Sequence, residues 1–179
     1  MQAHQDIFDN IKTKLLPSIE QCAELMISTI KSGGTIFWCG NGGSASDAEH
    51  LCAELVGRFN RERRSLSSVS LSSNTSTITS IGNDYGYDKV FSRQVEGLVN
   101  NSDLLVGIST SGNSENIEKA IIQAKKQGCT SIGLLGRDGG SLSKSCDYVL
   151  NVEGQDTARI QEMHILVGHI LCDIIESSV

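Results

Sequence analysis

Apolar residues recur every three or four positions through the first 31 residues of the chain. That spacing places them on one face of a helix and predicts helical structure from Gln2 to about Lys31. Pro17 interrupts the pattern and is expected to divide the helix or to bend it. The segment SGG, residues 32–34, would end it. The apolar positions are Ile7, Phe8, Ile11, Leu15, Ile19, Cys22, Ala23, Met26, Ile27 and Ile30.

After this arm, short apolar runs alternate with segments of helical periodicity. The runs predict five buried strands: TIFWC (35–39), SSVSL (67–71), DLLVGIS (103–109), GCTSIGLLG (128–136) and CDYVLNV (146–152). The predicted helices are 44–57, with Ser44 as N-cap, 88–99, 114–127 and 156–176, whereas the polar segment 73–84 is assigned no element. This alternation indicates parallel βαβ units with helices on both faces of the sheet. We therefore expect one α/β domain over 1–179, with a helical arm (1–31) and an α/β core (32–179).

Charge and composition narrow the range of partners. A formal charge of −6 argues against nucleic acid or an anionic membrane as the main partner. No apolar run approaches the roughly 20 residues that span a bilayer, and the N-terminus does not resemble a signal peptide. The six cysteines are scattered without a CxxC pair, which indicates reduced core residues in a cytoplasmic protein. The one basic cluster, RFNRERRS (58–65), is interpreted as a solvated loop or helix end rather than a binding patch.

Two predicted strand-to-helix turns have an unusual composition, CGNGGSASDA after the first strand and STSGNSEN after the third. Ligands of parallel sheets bind beyond the carboxyl ends of the strands, where glycine allows close approach and helix N-termini offer free N–H groups. Neither turn matches a nucleotide-binding fingerprint. A polar turn with Ser114 or Asn113 as helix cap is the simpler alternative. Two such turns in one sheet favour a neutral cradle for a phosphate monoester, with hydroxyl donors from Ser109, Thr110, Ser111 and Ser114.

Histidines and a carboxylate interrupt two of the predicted helices. His50 and Glu54 are four residues apart, so they share a helix face just after the first glycine turn. Spacing alone is equally typical of a surface pair. In the apolar last helix, Gln161, His164 and His169 require polar partners if they are buried, and a buried histidine is a candidate metal ligand or acid/base group. Gln161 and His169 are eight residues apart, about 12 Å along a helix, so one compact ligand sphere would not easily take both except through long side chains or a second protomer.

Four segments of the chain together resemble one family. CGNGGSASDAEHLCAELVGRF, IGNDYGYDKVFSRQVE, VGISTSGNSENI and ARIQEMHILVGHILCDIIE are similar to motifs of the sugar-isomerase (SIS) domain family, especially its branch that acts on sedoheptulose 7-phosphate. The resemblance covers nearly the whole chain. It implies a three-layer αβα sandwich with a central parallel sheet, assembled as a homotetramer with active sites at subunit interfaces.

The resemblance also implies roles for individual residues. Glu54 and His169 match the acid/base pair of the family. One zinc ion per subunit is implied at the positions that match His50, Glu54, Gln161 and His169. The positions that match the substrate-binding residues are Asn41, Gly42, Gly43, Ser44, Arg58, Asn83, Asp84, Ser109, Thr110, Ser111, Ser114 and Gln161.

The implied reaction converts sedoheptulose 7-phosphate to D-glycero-D-manno-heptose 7-phosphate through a cis-enediol, as the first step of bacterial nucleotide-activated heptose synthesis. A carboxylate such as Glu54 can move the proton between C1 and C2 while His169 serves the oxygens. A divalent metal would polarise the carbonyl, although nitrogen and oxygen ligands do not select zinc and Glu54 would then have two roles. The alternative is a non-catalytic SIS protein that binds a replication-initiator partner or senses a sugar phosphate. Such a protein is expected to lack the acid/base pair, so the presence of both residues favours the enzyme.

Overall fold

Five parallel strands form the central sheet in the computed structural model, which describes residues 2–179. They are β1 (Ile36–Gly40), β2 (Ser68–Ser70), β3 (Leu104–Ser109), β4 (Thr130–Gly136) and β5 (Tyr148–Val152). Their order across the sheet is β2-β1-β3-β4-β5, and every neighbouring pair is parallel. β1 and β3 are buried at every residue, because helices cover both faces of a parallel sheet. All five predicted strands are confirmed.

Helices cover both faces of the sheet, as the three-layer prediction requires. One hydrophobic core joins the sheet to the arm and to the helices 43–56 and 157–176, and a second core on the opposite face joins it to the helices 92–98 and 115–126. No helix within residues 2–179 is long and apolar enough to cross a membrane. The helices are α1 (Gln2–Asn10), α2 (Leu16–Lys31), α3 (Gly43–Val56), α4 (Thr75–Tyr85), α5 (Ser92–Leu98), α6 (Glu115–Lys126), α7 (Leu142–Ser145) and α8 (Thr157–Glu176).

The arm differs from a helix broken at Pro17. A π-helical turn, Ile11–Leu15, joins α1 to α2, and the proline lies in the first turn of α2. Proline has no N–H to donate to the carbonyl four residues earlier, so the preceding turn is a natural place for a wider π-helical arrangement. The chain thus continues through the proline as one helical arm.

Three further local predictions are corrected. Ser44 is not the N-cap of α3, because that helix begins at Gly43 and Gly42 occupies the cap position with φ +55°. The polar segment after β2 forms α4, where the side chain of Asn74 accepts a hydrogen bond from the backbone N–H of Thr77 at 3.0 Å. No residue of α4 is buried, and its apolar face is limited to Ile78 and Ile81, which is too short for sequence periodicity to reveal. The predicted helix 88–99 is a 3₁₀ turn, Tyr87–Lys89, followed by the shorter α5.

The strand order creates a crevice between β1 and β3. The chain leaves β1 through α3 toward β2 on one side, and it leaves β3 through α6 toward β4 on the other side. α3 and α6 pack against opposite hydrophobic cores. The two loops at the carboxyl ends of β1 and β3 therefore diverge, and such a switch point is the usual ligand site of open parallel sheets.

Candidate active site

The loop after β3 gathers three serine hydroxyls in one place. The Oγ of Ser109 lies 2.8 Å from that of Ser114 and 3.3 Å from that of Ser111. Ser114 precedes α6 but makes no capping hydrogen bond with its side chain. Thr110 is half-buried in the same loop. These hydroxyls stand at a helix N-terminus, where the partial positive charge favours an anion.

A second loop supports this serine cradle from behind. Gly112 has φ +66°, and the carbonyl of this residue accepts a hydrogen bond from the N–H of Leu142 at 3.0 Å. A Cβ at position 112 would overlap the carbonyl group of Gly139 and lie 2.7 Å from the nitrogen of Gly140. The two loops are therefore in backbone-to-backbone contact, which only glycine permits at this point.

The glycine turn after β1 is tied to the start of α6 by a pair of amides. Asn41 donates from Nδ2 to Oδ1 of Asn116 at 2.9 Å, and Asn116 donates from Nδ2 to Oδ1 of Asn41 at 2.8 Å. The hydroxyl of Tyr87 donates to Oδ1 of Asn41 at 3.0 Å. Neither Asn116 nor Tyr87 was singled out from the sequence. Together they join the two loops of the switch point across the crevice.

His50, Glu54 and His169 come together where α3 and α8 lie side by side. His50 Nε2 is 2.9 Å from Glu54 Oε1 and 3.5 Å from Nε2 of His169. One ligand atom from each of the three residues lies within 4.8 Å of the other two. The side chain of Glu54 is 21% exposed and that of His50 is 50% exposed. The cluster is open to a ligand and contains two imidazoles and one carboxylate, a donor set that suits zinc or a related divalent ion.

Gln161 lies beside the glycine turn. Its Nε2 donates to Oδ1 of Asp47 at 2.6 Å, and its side chain would be the nearest neighbour of a Cβ at Gly43, at 3.4 Å. Burial raises the pKa of Asp47 to about 6, against the lowering effect of the Gln161 hydrogen bond. The second carboxylate oxygen of Asp47 is buried and has no partner among the described residues. Sequence reasoning missed Asp47 because a single aspartate in a helix carries no spacing signal.

His164 belongs to the core, although it interrupts the same helix as His169. Its Nε2 donates to the carbonyl of Leu135 in β4 at 2.9 Å. Burial lowers the pKa of His164 to about 4, only partly offset by that hydrogen bond. A neutral, fully buried imidazole with a backbone partner is a structural residue. His164 is therefore neither a metal ligand nor an acid/base group.

The remaining predicted site residues lie on the surface of the protomer. Arg58 follows α3, and its Nε is 4.0 Å from a carboxylate oxygen of Glu62. Asn83 and Asp84 are exposed at the end of α4, where the amide of Asn83 donates to Asp84 at 2.8 Å. Within residues 2–179, none of these side chains hydrogen-bonds to the serine cradle or to the histidine cluster.

The basic cluster 58–65 is only partly solvated, which corrects the prediction made for it. The side chain of Arg63 is 6% exposed, and its guanidinium donates to the carbonyls of Glu54 at 2.7 Å and Leu55 at 3.0 Å. Its Nε lies 3.3 Å from Oε1 of the buried Glu176, close enough for an ion pair but without hydrogen-bond alignment. Because Glu176 is 113 residues away in sequence, no local pattern could have indicated this pairing.

Comparison with known proteins identifies the family of the chain. The family model of the SIS domain matches residues 1–136. The chain belongs to the SIS domain family. It is 53% identical to a phosphoheptose isomerase from a Nitratiruptor species over 98% of this chain and 94% of that relative. The structure of a phosphoheptose isomerase from Neisseria gonorrhoeae superposes with a TM-score of 0.92 at 45% identity, covering 97% of this chain and 93% of that one. A phosphoheptose isomerase from Francisella tularensis gives 0.95 at 37% identity, covering 98% and 94%.

Proposed function

We propose that this SIS protein is an aldose-ketose isomerase that converts sedoheptulose 7-phosphate to D-glycero-D-manno-heptose 7-phosphate. The observation that carries the proposal is that Glu54, His50 and His169 meet on α3 and α8 of a chain that also presents a neutral serine cradle at its switch point. Full-length similarity to phosphoheptose isomerases supports the same substrate. The product would supply nucleotide-activated heptose for a bacterial surface glycan.

The serine loop is the proposed phosphate site. Ser109, Ser111 and Ser114 offer hydroxyl donors, and Thr110 adds a fourth in the same loop. The N-terminus of α6 supplies a partial positive charge without a lysine or arginine. This arrangement holds the phosphate end and leaves the carbonyl end of the sugar free to reach α3. The glycine turn, with Asn41, Gly42, Gly43 and Ser44, would line the path between the two ends.

Proton transfer is assigned to two side chains. Glu54 removes a proton from C1 of the ketose and returns it to C2, so no net proton is lost. His169 donates a proton to the carbonyl oxygen at C2 and accepts one from the hydroxyl at C1. The hydrogen bond from His50 orients the Glu54 carboxylate at 2.9 Å. Moving the two protons in this way interconverts ketose and aldose through an enediol.

A zinc ion fits the donor set of this cluster. His50, Glu54 and His169 would hold it, and Gln161 is the fourth predicted ligand, although its amide nitrogen donates to Asp47. When bound, the ion would polarise the sugar carbonyl and stabilise negative charge on the adjacent oxygens.

A homotetramer in the cytoplasm is the proposed form of the protein. His50 is half-exposed and Val56 is exposed on α3, so both side chains are accessible to another protomer. Arg58, Asn83 and Asp84 are exposed, so they are available to complete a site on a neighbouring copy. All six cysteines are free thiols, as expected in a reducing compartment. Light scattering of the purified protein at several concentrations tests the assembly.

The variant Glu54→Gln tests the proposed chemistry. It keeps the shape of the side chain and removes the base, so we expect turnover of sedoheptulose 7-phosphate to fall by at least about 100-fold. Binding of the sugar phosphate, measured by calorimetry, should change little because the serine cradle is intact. Glu49→Gln is the matched control, since Glu49 is an exposed carboxylate on the same helix. Equal turnover in wild type and Glu54→Gln would contradict the assigned role.

A further inference from the structure

The carboxylate of Glu176 holds a surface turn in place from inside the protein. It is fully buried at the end of α8 and accepts hydrogen bonds from three consecutive backbone N–H groups, those of Phe59 at 3.0 Å, Asn60 at 2.7 Å and Arg61 at 2.8 Å. Burial alone would raise the pKa of Glu176, but these N–H groups and Arg63 lower it overall. The group is therefore a buried carboxylate anion with its charge well compensated.

The turn that Glu176 holds sends a ring back onto α8. Phe59 stacks on the imidazole of His169, with ring centroids 5.3 Å apart and an interplanar angle of 21°. His169 is seven residues before Glu176, about two helical turns. The helix thus anchors the turn at one point and receives an aromatic contact from it at another. The stacked Phe59 ring, held by the turn, restricts the rotation of the His169 imidazole.

The second partner of Glu176 reaches the other acid/base residue. Arg63 lies against the Glu176 carboxylate, and its fork donates to the backbone carbonyls of Glu54 and Leu55 at the end of α3. These carbonyls belong to the last turn of the helix, where they lack partners within the helix. The guanidinium therefore links the end of α8 to the part of α3 that carries Glu54.

We propose that the buried Glu176–Arg63 pair is the positioning element that sets the Glu54 carboxylate and the His169 imidazole at their working separation. Arg63 holds the backbone of Glu54, and the turn 59–61 holds the Phe59 ring on His169. Neither Glu176 nor Arg63 touches the reacting atoms. The catalytic consequence rests on the proposed isomerase function, whereas the positioning of the His169 ring does not.

Kinetics of Glu176→Gln give the first test. The amide keeps the shape of the side chain but loses its negative charge. Its NH₂ group would also face the backbone N–H groups of residues 59–61, which need an acceptor. We expect kcat to fall by about tenfold or more, because misplacement of catalytic groups by about 1 Å is costly. KM should stay within about twofold, since the serine cradle lies on other elements. Arg63→Lys keeps the charge without the fork and should lower kcat in the same way, and it also serves if Glu176→Gln fails to fold.

Asp173→Asn is the matched control. Asp173 lies on the same helix and pairs with Arg61 of the same turn at 3.0 Å, but both side chains are half-exposed. We expect kcat and KM to stay within about twofold of wild type, because exposed ion pairs contribute little. An equal loss of kcat in Asp173→Asn and Glu176→Gln would mean that any weakening of the turn lowers kcat. That result would contradict a specific role for the buried pair.

Nuclear magnetic resonance of the histidine rings gives a readout that does not depend on activity. The protein has four histidines, so His169→Gln identifies the His169 signals. In wild type, stacking on Phe59 should shift its ring protons upfield. Phe59→Leu and Glu176→Gln should both remove the shift, and Phe59→Tyr should retain it. An unchanged His169 signal in folded Glu176→Gln overturns the proposal, even if the wild type were to lack isomerase activity.

Discussion

Gly112 offers a quantitative test of how the serine cradle is built. Its φ of +66° lies in the left-handed region, where an alanine costs about 1–2 kcal/mol. The added Cβ would also overlap the carbonyl of Gly139, and relieving a clash between two backbones adds about 1–3 kcal/mol. We therefore expect Gly112→Ala to lower the free energy of unfolding by about 2–5 kcal/mol. At about 2–4 °C per kcal/mol for a chain of this size, Tm should fall by roughly 4–20 °C.

Gly33→Ala separates the two contributions. Gly33 has φ +87°, and no atom lies within 4 Å of the position of its Cβ. It therefore bears the conformational cost, about 1–2 kcal/mol, without the clash. Urea unfolding can be followed by the fluorescence of Trp38, which is the only tryptophan and is fully buried. At an unchanged m-value, the shift in midpoint gives the free-energy difference directly.

The same pair of variants tests the function of the cradle. Gly112→Ala must push the loop 139–140 away from the serine loop, so calorimetry should show sedoheptulose 7-phosphate binding weakened by about tenfold or more. Gly33→Ala lies at the opposite end of β1 and should bind as wild type does. If the two variants cost the same stability and bind the sugar phosphate equally well, the backbone contact at Gly112 does not shape the cradle.

Three further predictions concern the metal, the buried anion and the amide pair. Zinc in roughly 100-fold excess over its dissociation constant should stabilise the wild type by about 2.7 kcal/mol in thermal unfolding, and a similar gain in His50→Ala would argue against the site. The lowered pKa of Glu176 means that its stabilisation is present above the ordinary carboxyl pKa of 4.5 and is lost as the pH falls through the folded-state value. The stability gap between wild type and Glu176→Gln should therefore be constant near neutral pH and close in acid, whereas a gap that widens in acid would refute that sign. Asn116→Leu should cost about 1–3 kcal/mol by leaving Asn41 without its amide partner, and a Tm within about 1–2 °C of wild type would show that this pair is not needed.

The sheet could be predicted from the sequence because its strands are buried on both faces. β1 and β3 appear as uninterrupted apolar runs, and glycine turns follow them at the correct ends. α4 could not be predicted in this way, since none of its residues is buried. Its one local signal was Asn74 as N-cap, which a polar segment rich in serine and threonine conceals.

Within the site, local pairs were accessible from sequence and distant pairs were not. The i, i+4 spacing placed His50 beside Glu54, and the structure confirms that contact at 2.9 Å. The buried pair of Arg63 and Glu176 joins residues far apart in the chain. The sequence of the basic cluster does not distinguish the one buried arginine from its exposed neighbours. His164 and His169 were likewise indistinguishable by type, and only their neighbours separate the core residue from the candidate site residue.

Turnover of sedoheptulose 7-phosphate by the purified protein in D₂O tests the central claim most directly. Proton nuclear magnetic resonance would follow the appearance of an aldose heptose 7-phosphate and deuterium at its C2. We predict that the wild type forms this product with solvent deuterium at C2, because the enediol route passes the C1 proton through Glu54, where it can exchange. Sugar phosphate that binds but yields no aldose, with or without added zinc, would contradict the isomerase assignment and favour a non-catalytic SIS protein.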